Sequence, residues 1–333
     1  MEDINRSEER EREGDINLIS AVKSGAIERV KSLSVQPGVK LEDVDAEGRT
    51  ALHCAIEFQD LQFVSVLLEA GANVEAQSRL HGDTPLALAC RHGKEEIAEY
   101  LLDKHARVEG AYGLPINVVQ SPSPEQLLEE VGGASASNVE PLVESEAFAV
   151  EREERATPLM LAVKSGISKI VQSLIIKDAN VYAQDINNWT ALHYAAKGGN
   201  FFFIDVLLSR QENRGLLEMV NVDNDTPLIV AAKHGQVGAL LILCLWKCEV
   251  NAIGQNERTA LGWAAHHGHK NCVESLLDNN ADISVIDEDG KTPLQLAKDL
   301  FDKEWDANII LSEETMEKCI KIICMLEEHQ RKS

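Results

Sequence analysis

Apolar residues recur along this chain in short runs of constant shape. In Trp189-Thr190-Ala191-Leu192-His193-Tyr194-Ala195-Ala196-Lys197-Gly198-Gly199 a hydroxyl residue precedes small and aliphatic positions, and two glycines follow them. Thr190 suits an N-cap, because its oxygen can accept an amide N–H that the first helical turn leaves unpaired. Ala191–Ala196 predict a short, closely packing helix. Gly198-Gly199 predict its stop, since glycine adopts positive φ without steric cost. The phrase returns at Thr50, Thr84, Thr157, Thr226, Thr259 and Thr292. At Pro85, Pro158, Pro227 and Pro293 a proline takes the first helical position, where its missing N–H costs nothing. Second segments such as Leu61–Ala70 and Glu95–Lys104 carry apolar residues at helical spacing, with Glu and Lys turned to water.

The seven threonines lie 34, 73, 33, 36, 33 and 33 residues apart. A period near 33 with a Thr-Pro-Leu-His-type cap resembles the ankyrin repeat, a β-turn followed by two antiparallel helices. The interval of 73 then holds two repeats, one of them degenerate. The resemblance covers roughly Asp15 to Glu328 and implies an all-α solenoid of about seven or eight helix-turn-helix units with β-turn fingers. Each unit buries its apolar face against the next. It also implies a protein-binding scaffold or adaptor without catalytic chemistry or a cofactor. A second function consistent with the family is an acidic inhibitor that masks a basic partner such as a transcription factor.

The expected organisation runs from a charged tail at 1–14 through an N-terminal capping repeat at 15–44 to well-formed repeats at 45–110. Residues 111–155 combine a degenerate repeat with a Gly/Ser-rich, acidic insert, or else form a linker between two arrays. Four repeats follow at 156–287. A final repeat at 288–329 has its first helix at Pro293–Leu300, an insert with Trp305 and Ile309-Ile310-Leu311, and a closing helix presenting Met316, Cys319, Ile320, Ile323 and Leu326. Gly71 ends one second helix; His105, Asp178, Lys247 and Asn280 hold the equivalent places. His, Asp and Asn tolerate positive φ, and Lys247 does not fit that rule. Gln59-Asp60 stands where the other repeats have a glycine between helices.

A net charge of −23 disfavours nucleic acid and anionic membrane surfaces as partners and favours a basic protein. No run of 18 apolar residues and no signal peptide is present, so a cytoplasmic or nuclear location is expected. The seven cysteines form no regular framework and read as small buried hydrophobes in a reducing compartment. Phosphate loops, nucleophile elbows and H-E-x-x-H are absent. His266-His267-Gly268-His269 lacks the i, i+4 spacing of a helical zinc pair. No metal is expected there. His53 and His193 fill the family's His slot, where an imidazole bonds to neighbouring turns.

Three surfaces remain as candidates for a partner. Near the ends of the first helices, on the face that is concave in the family, stand Glu57, Arg91, Lys164, Lys197, Lys233, His266 and Lys298. They form either a basic groove for an acidic segment or a solvated face that complements the helix dipoles. The turn tips include Ile186 and Trp189. Trp189 is either an exposed anchor or a ring folded over the adjacent turn. The outer helices Phe201-Phe202-Phe203-Ile204 and Val237–Trp246 are apolar where Ser168, Lys169, Gln172, Lys270, Asn271 and Glu274 make their counterparts polar. Phe201, Phe202, Val237, Leu241, Leu245 and Trp246 are therefore expected to face outward as one patch, for a partner, for self-association, or for cover by the chain's own insert.

Overall fold

A computed structural model describes residues 17–58, 60–78, 82–110, 156–306 and 313–332. The charged tail, Gln59, the 111–155 segment and Ile309-Ile310-Leu311 lie outside the described residues. Two compact units divide at Leu161/Ala162. The first contains α1 (Leu18–Lys23), α2 (Ile27–Ser34), α3 (Ala51–Phe58), α4 (Leu61–Glu69), α5 (Pro85–Arg91) and α6 (Glu95–Asp103). The boundary falls within α7 (Pro158–Ser165). The second unit continues with α8 (Ser168–Ile176), α9 (Ala191–Gly198), α10 (Phe201–Leu208), α11 (Pro227–Lys233), α12 (Val237–Leu245), α13 (Ala260–His266), α14 (Lys270–Asp278), α15 (Pro293–Asp306) and α16 (Glu313–Lys332). Within each unit an inner helix pairs with the following outer helix as an antiparallel hairpin, and successive hairpins stack inner on inner and outer on outer. Apart from one antiparallel bridge, Val44 with Thr50, the described residues contain no strand. The fold is all-α, as the periodicity predicts.

One local interaction recurs in the seven repeats that carry a capping threonine. The threonine hydroxyl accepts the amide three residues on: from His53 (3.5 Å), Ala87 (3.3 Å), Met160 (3.3 Å), His193 (3.4 Å), Ile229 (3.4 Å), Gly262 (3.2 Å) and Gln295 (3.4 Å). At His53 and His193 the bond is reciprocated, with the threonine amide donating to Nδ1 at 3.2 Å. Because a backbone N–H only donates, Nδ1 is the acceptor and the proton sits on Nε2. It is donated to the carbonyl of Asp83 or Asp225 in the next repeat, each at 3.1 Å. Gln295 closes the same box on Thr292 through its Oε1 (2.8 Å). Each finger before the cap closes through a bond such as Asp185 N–H to Trp189 O, Asn221 N–H to Asp225 O or Asp287 N–H to Lys291 O. The first helix pair is capped by Asn17, which accepts from Ser20; Asp15, where the pattern begins, lies outside the described residues.

The left-handed positions behave uniformly. Gly71, His105, Asp178, Lys247 and Asn280 have φ of 97°, 66°, 61°, 67° and 62°. Lys247 adopts the conformation despite its side chain, since the chain must turn there to enter the next finger. Asp60 caps α4 by accepting from Gln62. The three extra residues between Thr190 and Thr226 belong to a 3-10 segment, Gln211–Glu218, that buries Leu216 and Leu217.

Two expectations at the C-terminal end are corrected. The helix expected to end at Leu300 runs on to Asp306, because no glycine or proline interrupts it, and Trp305 belongs to that helix. The closing helix buries Cys319, Ile322 and Leu326, while Ile320 is 48% exposed and Ile323 half-buried. An i, i+3, i+7 seam against α14 and α15 replaces the expected face. The side chain of Met316 lies outside the described residues.

Six of the cysteines are buried free thiols, and burial pushes Cys54 and Cys272 up to about 11; Cys324 is exposed. Burial also depresses His193 from 6.5 to about 4. A base whose folded pKa is depressed contributes stability above its unfolded pKa and loses it as pH falls. Between pH 7 and pH 5 His193 is therefore expected to cost the fold about 2 kcal/mol. His193→Gln, which keeps the cap box in the manner of Gln295, should lower stability by about 1 kcal/mol at pH 7 and flatten the fall toward pH 5. Urea unfolding across that range checks it. Lys247→Gly should raise stability by about 0.5–1 kcal/mol by relieving the left-handed lysine, read from the urea midpoint.

Candidate partner-binding site

The row read as either a basic groove or a solvated face includes several internal braces. In five of the seven repeats the residue just before the capping threonine meets the residue seven after it, near the end of the same first helix; Lys164 lies instead over Tyr194, and Arg258 pairs with Asp287 of the next finger. Arg49 Nη1 reaches Glu57 at 2.7 Å, and Arg91 Nε reaches Asp83 at 2.8 Å. Lys233 pairs with Asp225, and Lys291 with Asp299. In the Thr190 repeat the brace is a ring: Lys197 Nζ lies 5.4 Å from the centre of Trp189. The signs swap between repeats while the geometry is kept. The row therefore ties fingers to helices. Lys298 stands one residue short of the row; Asp299 is the true equivalent, and Lys298 instead pairs with Glu327 of α16 at 2.9 Å.

Trp189 is half-buried, 5.1 Å from the ring of Tyr194, over which Lys164 lies at 5.7 Å. Tyr194 donates to Asp185 at 2.6 Å. The structure thus joins Lys164, Tyr194, Trp189 and Lys197 into one ladder of cations and rings, with both lysines open to solvent. Trp263 forms a second centre. Lys233 Nζ lies 4.1 Å and Arg258 Cζ 4.9 Å from its ring, His267 stacks on it at 5.4 Å, and His266 meets it edge-on at 5.8 Å. His267 and His269 bond to the carbonyls of Trp263 and Lys233, each at 3.1 Å. Burial lowers the pKa of His267. Among the described residues no group of three His, Cys, Asp or Glu could hold a metal.

On the outer helices Phe201 is 59%, Leu241 47% and Leu245 70% exposed; Phe202 is exposed too, and Val237 and Trp246 are half-buried. α10 and α12 are packing neighbours. A Cβ built on Gly238 would lie 3.7 Å from Phe201, so that ring rests against α12. Leu241 and Leu245, one turn apart, extend the same face. The counterparts Ser168, Lys169, Gln172, Asn271 and Glu274 are exposed and polar.

Repeats in register, each with the same capped inner helix, outer helix and finger, match a family pattern described as "Ankyrin repeats (3 copies)" at residues 18–110, 159–253 and 240–321. The chain belongs to the ankyrin-repeat family. It is 34% identical over 146 residues to inversin of Canis lupus familiaris, across 42% of this chain and 13% of inversin. It is 31% identical over 244 residues to the B-cell lymphoma 3 protein homolog of Mus musculus, across 72% of this chain and 52% of that protein. The chain thus spans a small part of inversin and about half of the B-cell lymphoma 3 homolog. Ankyrin repeats mediate protein–protein interaction in general. Among the described residues no helix is long and apolar enough to cross a membrane.

Sequence reasoning placed Ile186 and Trp189 on the turn tips but missed an aliphatic row on the same fingers. Val220, Ile253 and Ile286, each six residues before a capping threonine, are exposed on three successive fingers, as are Ile186 and Val222 four residues before theirs. Counting back from Thr226, Thr259 and Thr292 finds the row.

The braces make the cations of the row unequal. Asp225 is buried, so Lys233→Met leaves a carboxylate without its cation and should cost about 3 kcal/mol. Lys197→Met removes only a solvent-facing contact with a ring, worth about 0.5 kcal/mol. Parallel urea titrations of the two variants check the contrast.

Proposed function

We propose that this chain is a non-catalytic interaction scaffold or adaptor that holds a partner protein through its fingers and through the apolar patch on α10 and α12. The observation that carries the reading is that patch. Four large apolar side chains stay exposed on neighbouring outer helices of a protein with abundant charge to cover them. Contiguous exposed apolar area of this kind characterises interaction sites. The braced cations play a positioning part, since they fix the fingers that a partner would read. The reading places the protein in the cytoplasm or nucleus, in line with its buried free thiols.

A second reading, an acidic inhibitor masking a basic partner such as a transcription factor, is favoured by the net charge of −23. Under that reading, binding falls steeply with added salt; an apolar-patch scaffold is salt-tolerant.

The test is affinity capture followed by mass spectrometry, with the intact chain and with a Leu241→Lys/Leu245→Lys variant shown folded by circular dichroism. The captured protein should be lost from the variant while sedimentation stays that of the intact chain. Retention of every captured protein with unchanged sedimentation removes the patch from the reading. A drop in sedimentation coefficient assigns it to self-association instead.

A further inference from the structure

The fingers of the second unit present aliphatic side chains that the fold leaves partly exposed. Val220, Ile253 and Ile286 occupy the same register in three successive repeats and are 36%, 52% and 55% exposed. Ile186 and Val222 flank them at 46% and 59%. Core residues of the same repeats, such as Leu228 and Leu261, are buried. The finger residues therefore keep apolar surface available that the core residues do not.

The row is rigid before anything binds. Asn221 Oδ1 accepts the amides of Asp223 and Asp225 (both 2.9 Å), and Asp287 Oδ1 accepts those of Asp289 (3.0 Å) and Lys291 (2.8 Å). Successive fingers are also bonded to one another. Val222 donates its amide to Asn187 O at 3.0 Å, Asn224 Nδ2 donates to Ile253 O at 2.9 Å, and Glu288 donates its amide to Asn256 O at 3.1 Å. A partner would meet a preformed ribbon, so little ordering cost opposes binding.

Charge selects the partner. The fingers' own cations are engaged: Arg258 with Asp287, and Lys291 with Asp299. The acids Asp223, Glu257, Glu288 and Asp289 face solvent beside the aliphatic row. Apolar anchors bordered by carboxylates complement a basic amphipathic segment and repel an acidic one.

Spacing selects its conformation. Helices packed side by side lie about 8–10 Å apart, and the fingers they carry repeat at that interval. Seven residues of α-helix rise about 10 Å and complete nearly two turns, so positions i, i+7 and i+14 share a face at the finger spacing. Three residues of β-strand cover about the same distance, but they alternate faces.

Resting on the scaffold reading and deepening it, we infer that the finger row of the second unit is a docking surface for a basic amphipathic α-helix of a partner protein, its aliphatic residues seven apart seated on Val220/Val222, Ile253 and Ile286.

The test uses the full chain and three fluorescent peptides of equal length. One has Leu at every seventh position on a Lys/Ala background, one is its shuffled isomer, and one has Glu for Lys. Fluorescence anisotropy should show the first peptide binding and the other two at least about tenfold weaker. A Val222→Ser/Ile253→Ser/Ile286→Ser variant should lose at least about tenfold in affinity for the first peptide. Glu288→Lys/Asp289→Lys should weaken it as well. These positions are exposed, and circular dichroism confirms that each variant is folded. The inference is overturned if the first peptide does not bind, if the shuffled isomer binds equally, or if the serine variant binds as the intact chain does. Capture of the cellular partner separates the two readings. A partner kept by the serine variant and lost by Leu241→Lys ends the finger inference and leaves the scaffold; a partner kept by both ends both.

Discussion

The bond from an amide in the first helical turn to the threonine hydroxyl that caps it organises each unit and recurs in all seven recognisable repeats. A repeat has no core of its own and gains stability only by facing a neighbour in the right register. The cap sets that register, because it fixes where each inner helix begins and hence which residues look toward the next one. His53 and His193 carry the constraint across the gap, accepting from their own threonine amide and donating to the following finger. A protonated imidazole cannot keep the first of these bonds, which is why the burial that makes the arrangement stable also makes it sensitive to acid.

The same register explains how the chain uses its few cations. With 32 basic residues against 55 acidic ones, an ion pair placed between finger and helix end withdraws a cation from the surface. The brace accepts Arg49 with Glu57, Asp83 with Arg91, Trp189 with Lys197 and Asp225 with Lys233, so its requirement is attraction at a fixed distance and not a particular sign. The exposed residues on the fingers of the second unit include the aliphatic Val222, Ile253 and Ile286 and the acids Asp223, Glu257, Glu288 and Asp289.

Features set by chemistry within a few residues were legible in the sequence. The caps, the proline positions and the left-handed residues at His105, Asp178 and Asn280 follow from local preferences, and the structure shows them. Lys247 was legible only by alignment with its counterparts, since its own propensity argues against the conformation that the turn imposes. The face of α16 was not legible. Cys319, Ile320, Ile322, Ile323 and Leu326 surround more than one side of that helix, and only contact with α14 and α15 decides which of them is buried. The braces escaped for a related reason. Partners eight residues apart sit on different elements, so a row read by charge alone does not reveal that Glu57, Arg91 and Lys233 are paired with their own fingers.

The two apolar surfaces of the second unit differ in how they could act. The patch on α10 and α12 rests on helices whose buried sides, including Phe203, Ile204, Leu240 and Leu243, belong to the core, so its outer residues inherit the rigidity of that core. The finger row stands on turns, and its rigidity comes from hydrogen bonds between one finger and the next. A partner on the patch would gain area without regard to charge. A partner on the fingers must satisfy carboxylates and a fixed spacing together. Affinity can therefore come from one surface and discrimination from the other, which is a physical basis for a scaffold that holds one partner among many basic proteins.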